Sequence, residues 1–222
     1  MAALIPLDDG VPPVKVARKS IKGDNMYKVY GKVPTRAFRV LWMLEEIDQP
    51  YELIEAAPRS EAVMALNPSG KVPVLQDGDA TLTDSAAILT YLADKHGQLT
   101  FPAGTIERAH QDALTHAILD ELDAVLWTAA RHSFILPEDQ RVKEVKPSLQ
   151  WEFSRNLDRL ADRLKGPFLM GEQMTIADIL CTHCLNWAHG AKFPVENKAM
   201  LAYAKSMRNR DAFKRAMAHA AT

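Results

Sequence analysis

Asp84 and Ser85 form an acidic-serine pair at the point where a β-prone run gives way to a helical pattern. The first N–H groups of a helix have no intrahelical partner, and the helix dipole is positive at that end. The pair is therefore well placed to bind an anion, with the serine hydroxyl and the free N–H groups as donors. Asp and Ser are also favoured N-caps, so a purely structural role fits the same pattern.

Pro73 lies at the start of a predicted strand that ends near Gln76. Proline has no N–H to donate to a sheet, so it is confined to edge strands, strand starts and bulges. A trans proline at the first position of an edge strand is the plain structural interpretation. A functional interpretation requires an unusual backbone at this point.

Cys181 and Cys184 are the only cysteines, and they flank a threonine and a histidine in a pattern that imitates a redox or metal site. The pattern falls inside a helix predicted to begin at Thr175, where Thr175 and Asp178 have the spacing of a capping box. Cysteines one turn apart within a helix are mostly buried packing residues. We therefore predict no metal site, no disulfide framework and a reducing cytoplasm.

The first half of the chain alternates strand and helix patterns. A compact strand–helix–strand unit usually forms a parallel pair with a right-handed crossover, and an Asp-Gly dipeptide between two strands is a strong hairpin signal. The β-prone runs are 27–30, 51–55, 72–76 and 80–83. The order predicts a βαβ unit, then a ββα unit whose helix stops near Gly97, and together a mixed sheet with helices on its faces.

From Thr105 onward the pattern is helical. Apolar residues at helical spacing form two stripes, which are Leu114, Ile118, Leu122, Val125 and Ala129, then Leu149, Phe153, Leu157, Leu160 and Leu164. Two further helices are predicted near 175–189 and 198–217. We expect an α/β domain over 26–97, a linker over 98–106 and an all-helical domain over 107–222.

The composition is ordinary for a globular protein of 222 residues, with 47% hydrophobic and 25% charged residues. A net charge of −1 gives no electrostatic case for binding nucleic acid or an anionic membrane. No apolar run approaches the length of a membrane span. Residues 1–25 do not follow a signal-peptide pattern, and we expect them to be a flexible extension.

Three segments together resemble the cytosolic glutathione S-transferases, in the form with a serine- or threonine-like active-site loop found in bacterial members. Segment 67–75, NPSGKVPVL, is similar to the family's asparagine-proline-x-glycine-lysine-valine-proline motif. Asp84 and Ser85 match its acidic-serine pair, and segment 36–46, RAFRVLWMLEE, looks like its first helix. The resemblance runs from about Met26 onward and implies a thioredoxin-like domain followed by an all-helical one.

The resemblance implies a binding site for glutathione. In this family the bond before the proline is cis, so the N–H and C=O of Val72 would point away from the sheet and pair with the cysteinyl backbone, with Pro73 forming the bend. Ser85 would bind the α-carboxylate of the γ-glutamyl group, and Asp84 its ammonium.

The glycine carboxylate of glutathione needs a cation. Lys71 lies beside the proline and is preferred over Arg59, which lies in the loop after the second strand, although a solvated surface charge is the commoner role for either residue. Glutathione is the expected co-substrate, and neither a metal nor a tightly held organic cofactor is expected.

Members of the family activate the glutathione thiol with a Tyr, Ser or Cys between the first strand and the first helix. Here that loop, 31–36, contains neither Ser nor Cys. Thr35 is its only hydroxyl and occupies the place of the serine when Arg39 is used as the anchor, so Thr35 is the predicted thiolate donor. Tyr30 and Arg36 are the alternatives, and Thr35 is otherwise an N-cap alone.

An electrophile pocket is expected between the domains, with candidates Trp127, Arg131, His132, Phe134 and Phe193. Apolar pockets favour hydrophobic ligands. The resemblance thus implies a cytoplasmic homodimer that conjugates glutathione to small hydrophobic electrophiles. A glutathione-dependent isomerase, dehalogenase or peroxidase on the same site, or a non-enzymatic glutathione-binding scaffold, are the alternatives.

Overall fold

The computed structural model describes residues 26–220, so the predicted extension 1–25 lies outside the described residues. The strands are β1 (Tyr27–Gly31), β2 (Tyr51–Glu55), β3 (Val74–Asp77) and β4 (Ala80–Thr83). The helices of this half are α1 (Ala37–Glu46), α2 (Glu61–Leu66) and α3 (Ser85–His96).

The four strands form one mixed sheet in the order β2-β1-β3-β4. β1 and β2 are parallel and β3 and β4 are antiparallel, which confirms the two predicted pairs. β1 and β3 are also antiparallel, and this pairing joins the two units. The third strand starts at Val74 rather than at Val72. The short helix α2 was not predicted, because only Val63 in it is buried and one buried residue leaves no periodic pattern.

The second half is helical, as predicted. Its helices are α4 (Ile106–Ile118), α5 (Ala124–Ala130), α6 (Val145–Ala161), α7 (Ile176–Gly190), α8 (Lys198–Arg208) and α9 (Asp211–Ala218). Leu119–Asp123 and Arg131–Ile135 are π-helical turns at the two ends of α5, and Glu138–Gln140 is a 3₁₀ turn. Among the described residues, no helix is long and apolar enough to cross a membrane.

The single helix predicted over 198–217 is wrong, because the chain breaks between α8 and α9. Arg210 has an extended backbone (φ −64°, ψ 139°), and its guanidinium donates to both carboxylate oxygens of Glu46 at 2.6 and 2.7 Å. The break turns α9 onto α1, where Phe213 packs edge-to-face against Phe38 and Trp42. Contacts with α1 therefore override the local helical pattern.

One hydrophobic core spans both halves of the chain, and α1 lies at its centre. Every residue of α1 from Ala37 to Leu44 is buried, because the helix packs against α3 as well as α7 and α9. The two predicted apolar stripes are buried up to Leu160, and Leu164 follows the end of α6. Phe193 is a core residue too, edge-to-face with Phe153 at 5.5 Å between ring centroids.

The predicted capping box at the start of α7 is confirmed. The N–H of Thr175 donates to Asp178 Oδ2 at 2.8 Å. Asp178 Oδ1 accepts from the N–H of Leu169 and from the hydroxyl of Tyr203, each at 2.9 Å. Burial raises the pKa of Asp178 above its ordinary value, against these hydrogen bonds, which lower it. The motif thus ties α7 to a preceding loop and to α8.

A substitution at Gly31 tests how closely β1 approaches α1. Gly31 has a φ of +153°, and a Cβ added there would lie 2.4 Å from the Cβ of Ala37. We expect Gly31→Ala to lower the free energy of unfolding by about 2 kcal/mol, because the first turn of α1 must shift. Urea unfolding followed by circular dichroism measures the loss.

Gly104→Ala is the matched control for Gly31→Ala. Gly104 also has a positive φ, +84°, but a Cβ added there would have no atom within 4 Å. Gly104→Ala should lower the free energy of unfolding by only about 1 kcal/mol, which is the cost of a positive φ for a residue with a Cβ. Equal losses in the two variants would contradict the close approach at Gly31.

Candidate active site

The peptide bond between Val72 and Pro73 is cis, as the resemblance implied. Val74 is paired with Tyr30 of β1 and Thr83 of β4, so Val72 and Pro73 lie just beyond the paired part of the sheet. Neither the backbone N–H nor the C=O of Val72 has a hydrogen-bond partner among residues 26–220. Both groups are therefore free to pair with an extended peptide at this edge.

Asp84 is the N-cap of α3. Its Oδ1 accepts the N–H groups of Ala86 at 2.9 Å and Ala87 at 3.1 Å. Its backbone has φ +69° and ψ 122°, a conformation that a residue with a Cβ rarely adopts and that is commonest at functional sites. The side chain is exposed, and its Oδ2 accepts no hydrogen bond from any described residue. One carboxylate oxygen thus caps the helix while the other is left for a cation.

Ser85 follows at the same helix end and is only 4% exposed. Arg39 Nη1 donates to its Oγ at 3.1 Å. Arginine cannot accept, so the hydroxyl hydrogen of Ser85 is not used in this bond. Within the described part of the chain, the backbone N–H of Ser85 has no acceptor either. A carboxylate near Ser85 could therefore accept from both its N–H and its O–H.

A buried cluster of charged groups lies behind Ser85. Asp123, in the π turn before α5, accepts from Arg36 Nε at 3.1 Å and also from the Nη2 groups of Arg36 and Arg39. Burial by itself would raise the pKa of Asp123. The charges and hydrogen bonds of Arg39 and Arg36 outweigh that effect and hold its pKa well below the usual range. The carboxylate therefore stays ionised.

His183 of α7 belongs to the same cluster. Its Nδ1 lies 3.1 Å from Arg39 Nη2. Burial, followed by the charge of Arg39, lowers the pKa of His183 well below its ordinary value, so the ring is neutral. A neutral ring that accepts at Nδ1 carries its proton on Nε2.

Cys181 and Cys184 are buried free thiols, which confirms the predicted packing role. Burial raises the pKa of Cys184 to about 12, with Asp123 adding to the effect, and it raises that of Cys181 well above its ordinary value. Over residues 26–220, no group of three or more His, Cys, Asp or Glu side chains is arranged to hold a metal ion.

Thr35 lies close to Val72, at the edge where the cis bond precedes Pro73. A Cβ added at Gly31 would be 3.7 Å from Thr35 Oγ1 and 3.6 Å from Val72 Cβ, so both side chains border the same small space. The Thr35 hydroxyl donates to the Lys32 carbonyl at 2.6 Å and accepts the N–H of Ala37 at 3.1 Å. It must turn away from Lys32 before it can donate to a ligand.

The two alternatives to Thr35 have different surroundings. The Tyr30 hydroxyl donates to Gln76 Oε1 at 2.7 Å, within the sheet. The Arg36 guanidinium lies over the rings of Trp127 and Trp187, at 5.1 and 4.8 Å from the ring centroids. The Arg36 side chain is 26% exposed, and its Nη1 has no hydrogen-bond partner in the described part of the chain.

The other pocket candidates lie in and near the π turn that follows α5. Arg131 Nη2 donates to Thr128 at 2.9 Å, and its buried Nε has no partner among the described residues. His132 Nδ1 accepts the N–H of Val142 at 3.1 Å. The ring of Phe134 is 48% exposed. Arg131 and His132 are thus bonded to local partners.

The two candidate cations for the glycine carboxylate, Lys71 and Arg59, are both exposed. The N–H of Arg59 donates to the Gly70 carbonyl at 2.8 Å, which ties the loop after β2 to the turn before Pro73. Asn67 holds that turn from within, because its Nδ2 donates to the Lys71 carbonyl at 2.9 Å.

Sequence reasoning missed three residues of this region, namely Asp123, His183 and Trp187. Asp123 follows Leu122 of the first apolar stripe, so the pattern gave no sign that it would be buried. In the sequence His183 stands out only as part of the cysteine pattern. Trp187 lies one helical turn after His183, and this spacing, which places both side chains on one face of the helix, is the sequence signal that could have identified Trp187.

Comparison with known proteins places the chain in a family. The model described as "Glutathione S-transferase, N-terminal domain" matches residues 30–95, and that described as "Glutathione S-transferase, C-terminal domain" matches residues 121–211. The chain is also 31% identical over 170 residues to glutathione S-transferase F13 of Arabidopsis thaliana, covering 68% of this chain and 75% of the relative. The chain belongs to the glutathione S-transferase family.

Solved structures of glutathione transferases share its fold. A glutathione transferase of Methylococcus capsulatus is 28% identical with a TM-score of 0.79, covering 89% of this chain and all of that one. The theta-class enzyme of Xanthomonas axonopodis pv. citri, solved with glutathione bound, is 26% identical with a TM-score of 0.71, covering 86% and 97%. The predicted thioredoxin-like domain followed by a helical domain is confirmed, and the chain is an enzyme of the transferase class.

The neutral state of His183 predicts a pH dependence of stability. In the unfolded chain His183 protonates near pH 6.5, whereas burial and Arg39 keep it neutral when folded. The unfolded state then binds more protons below that pH, so the free energy of unfolding falls as the pH falls, by up to about 1.4 kcal/mol per pH unit. His183→Gln should flatten this slope between pH 7 and 5, measured as urea unfolding at each pH.

The control for this experiment is His116→Gln, which changes an exposed histidine of α4. It should keep the wild-type difference in stability between pH 7 and pH 5. Asp123 contributes little in this window because an unfolded Asp titrates near pH 3.9. A wild-type slope retained by His183→Gln would contradict the neutral, buried assignment.

Proposed function

We propose that this member of the glutathione S-transferase family binds glutathione and transfers its thiolate to small hydrophobic electrophiles. The observation that supports this most directly is the unpaired backbone of Val72 next to the open end of α3. The register Val74–Thr83 brings Val72 and Pro73 alongside Asp84 and Ser85. An extended tripeptide could bind both at once.

Each part of glutathione has a complementary group in this proposal. The N–H and C=O of Val72 pair with the cysteinyl backbone, as a short added strand would. The Ser85 hydroxyl and N–H bind the α-carboxylate of the γ-glutamyl group, and the free Oδ2 of Asp84 binds its ammonium. Lys71 binds the glycine carboxylate, with Arg59 as the alternative. No metal is required by this chemistry.

The thiol of glutathione must be ionised for the reaction. A free thiol has a pKa near 8.5, and lowering it by about two units requires roughly 2.7 kcal/mol of preferential stabilisation of the thiolate. Thr35 is the proposed donor, because its hydroxyl borders the same space as Val72. Arg36 is the alternative, because its Nη1 is unpaired among residues 26–220. Tyr30 is the weaker candidate, since its hydroxyl donates within the sheet.

The proposed electrophile site uses the rings that surround Arg36. Trp127 and Trp187 approach Arg36 from α5 and α7, which gives an apolar, aromatic boundary beside the thiolate. Such boundaries favour hydrophobic and planar ligands. Phe134 is exposed and extends this surface, whereas Arg131 and His132 are candidates already bonded to their neighbours. A homodimer in the cytoplasm is proposed from the family resemblance alone.

Glutathione binding tests the proposal directly. Isothermal titration calorimetry with wild type should give saturable heat at millimolar glutathione or below. Ser85→Ala should raise the Kd about tenfold, because one hydrogen bond to a charged group contributes about 1.5 kcal/mol. Ser206→Ala, on the exposed face of α8, should leave the Kd unchanged. Absence of any heat or thermal shift in wild type would remove the proposed ligand.

The thiolate donor is identified by titrating bound glutathione through its ultraviolet thiolate absorbance. We expect Thr35→Ala and Thr35→Val to raise the pKa of the bound thiol by about one unit, equivalent to about 1.4 kcal/mol of lost stabilisation. Arg36→Gln is measured in parallel. If the pKa of the bound thiol rises in Arg36→Gln alone, the role belongs to Arg36 and the assignment to Thr35 is overturned.

The reaction itself is tested with a set of electrophiles and peroxides. We expect wild type to consume glutathione with a chloronitroaromatic compound or an enone, and Trp187→Ala to raise the KM for the electrophile severalfold while the Kd for glutathione is kept. Turnover with peroxides or haloalkanes alone would instead favour a peroxidase or a dehalogenase.

A further inference from the structure

Arg39 connects the helical half of the protein to the proposed γ-glutamyl site. It is a residue of α1 with only 1% of its surface exposed, so it cannot reach a ligand itself. One terminal nitrogen donates to Ser85, and the other lies between Asp123 and His183. The helical half thus holds this guanidinium, which in turn contacts the Ser85 hydroxyl.

The direction of these hydrogen bonds fixes the role of the Ser85 hydroxyl. Arg39 has donors only, so Ser85 Oγ must accept from it. The hydroxyl hydrogen is then left to donate elsewhere, and a charged donor on the oxygen strengthens it as a donor. Ser85 is therefore prepared to bind an acceptor such as a carboxylate.

The charge balance of the cluster indicates the same ligand. Arg36 and Arg39 are both positive, Asp123 is the only carboxylate bonded to them among the described residues, and His183 is neutral. Cys184 remains a protonated thiol. Two guanidinium groups thus share one carboxylate, and the buried one of them, Arg39, donates to Ser85. Buried charges are normally paired. A bound carboxylate would provide that pairing.

We propose that Arg39 is a positioning residue for the α-carboxylate of the γ-glutamyl group, acting through Ser85 and held in place by Asp123 and His183. This inference rests on the proposed binding of glutathione. In this proposal, a buried residue of α1 that makes no contact with the ligand controls how tightly one group of the ligand is bound.

The test compares glutathione with γ-aminobutyryl-cysteinylglycine, which lacks only the α-carboxylate. Both are titrated calorimetrically into wild type and Arg39→Gln. We expect Arg39→Gln to weaken the binding of glutathione more than tenfold and that of the analogue less than twofold. A merely structural role would weaken both ligands equally, and that result would overturn the proposal.

Arg210→Gln is the matched control, because it removes a guanidinium that is bonded to a carboxylate of α1, that of Glu46, without touching Ser85. We expect it to weaken the binding of glutathione less than threefold. Losses equal to those of Arg39→Gln would show that only the overall charge matters, contrary to the proposal. Adding Arg39→Gln to Ser85→Ala should weaken the binding of glutathione by less than a further twofold, because the two residues act as one unit.

A conservative variant covers the case in which Arg39→Gln fails to fold. Arg39→Lys keeps the charge but cannot bond Ser85, Asp123 and His183 together. Arg39→Lys should weaken the binding of glutathione about fivefold and leave that of the analogue unchanged. If neither variant folds, nitrogen-15 spectra of the guanidinium groups in wild type test the proposal instead. The resonance of the buried Arg39 guanidinium should shift when glutathione is added and should not shift with the analogue. A wild type that binds both ligands equally overturns this inference, whereas one that binds neither overturns the proposed function.

Discussion

The carboxylate of Asp123 binds two guanidinium groups, that of Arg36 just before α1 and that of Arg39 within it, and the candidate active site is arranged around that contact. Arg36 and Arg39 approach it from the sheet-containing half, whereas Asp123, His183 and Cys184 belong to the helical half. Removing one member of such a buried set leaves an uncompensated charge, which typically costs 3–5 kcal/mol. The relative placement of the two halves and the electrostatics behind Ser85 are therefore fixed by the same bonds.

The π turn at Leu119–Asp123 is the local feature that accommodates this contact. A π turn inserts an extra residue into a helix and changes which side chains face the neighbouring element, and such turns are frequent at functional sites. Here Leu122 and Asp123 are adjacent and both buried, with the former in the core and the latter against the arginines. A polar group thus enters an otherwise apolar helix face at the junction of the two halves.

Local patterns in the sequence predicted the elements whose burial is periodic. The stripes of α4 to α6, the parallel β1–β2 pair and the capping box of Thr175 all depend on neighbours along the chain. The break before α9 could not be predicted in this way, because Arg210 is bonded to Glu46, which lies 164 residues away. For the same reason no local pattern marks Asp123 as buried, because its partners lie 84 and 87 positions earlier. The family motifs drew attention to Val72, Pro73, Asp84 and Ser85, whose role in binding is a proposal, whereas the buried groups behind them have no local signature.

Helix α9 has a consequence for how the protein can be divided. Phe213 covers Trp42 and Phe38 of α1, and Arg215 and Arg210 hold Glu45 and Glu46. The last described helix therefore completes the core beneath the first one, although the two are distant in sequence. A fragment ending at the linker would present a row of aromatic rings to water and aggregate, so the halves cannot be exchanged between relatives as independent cassettes.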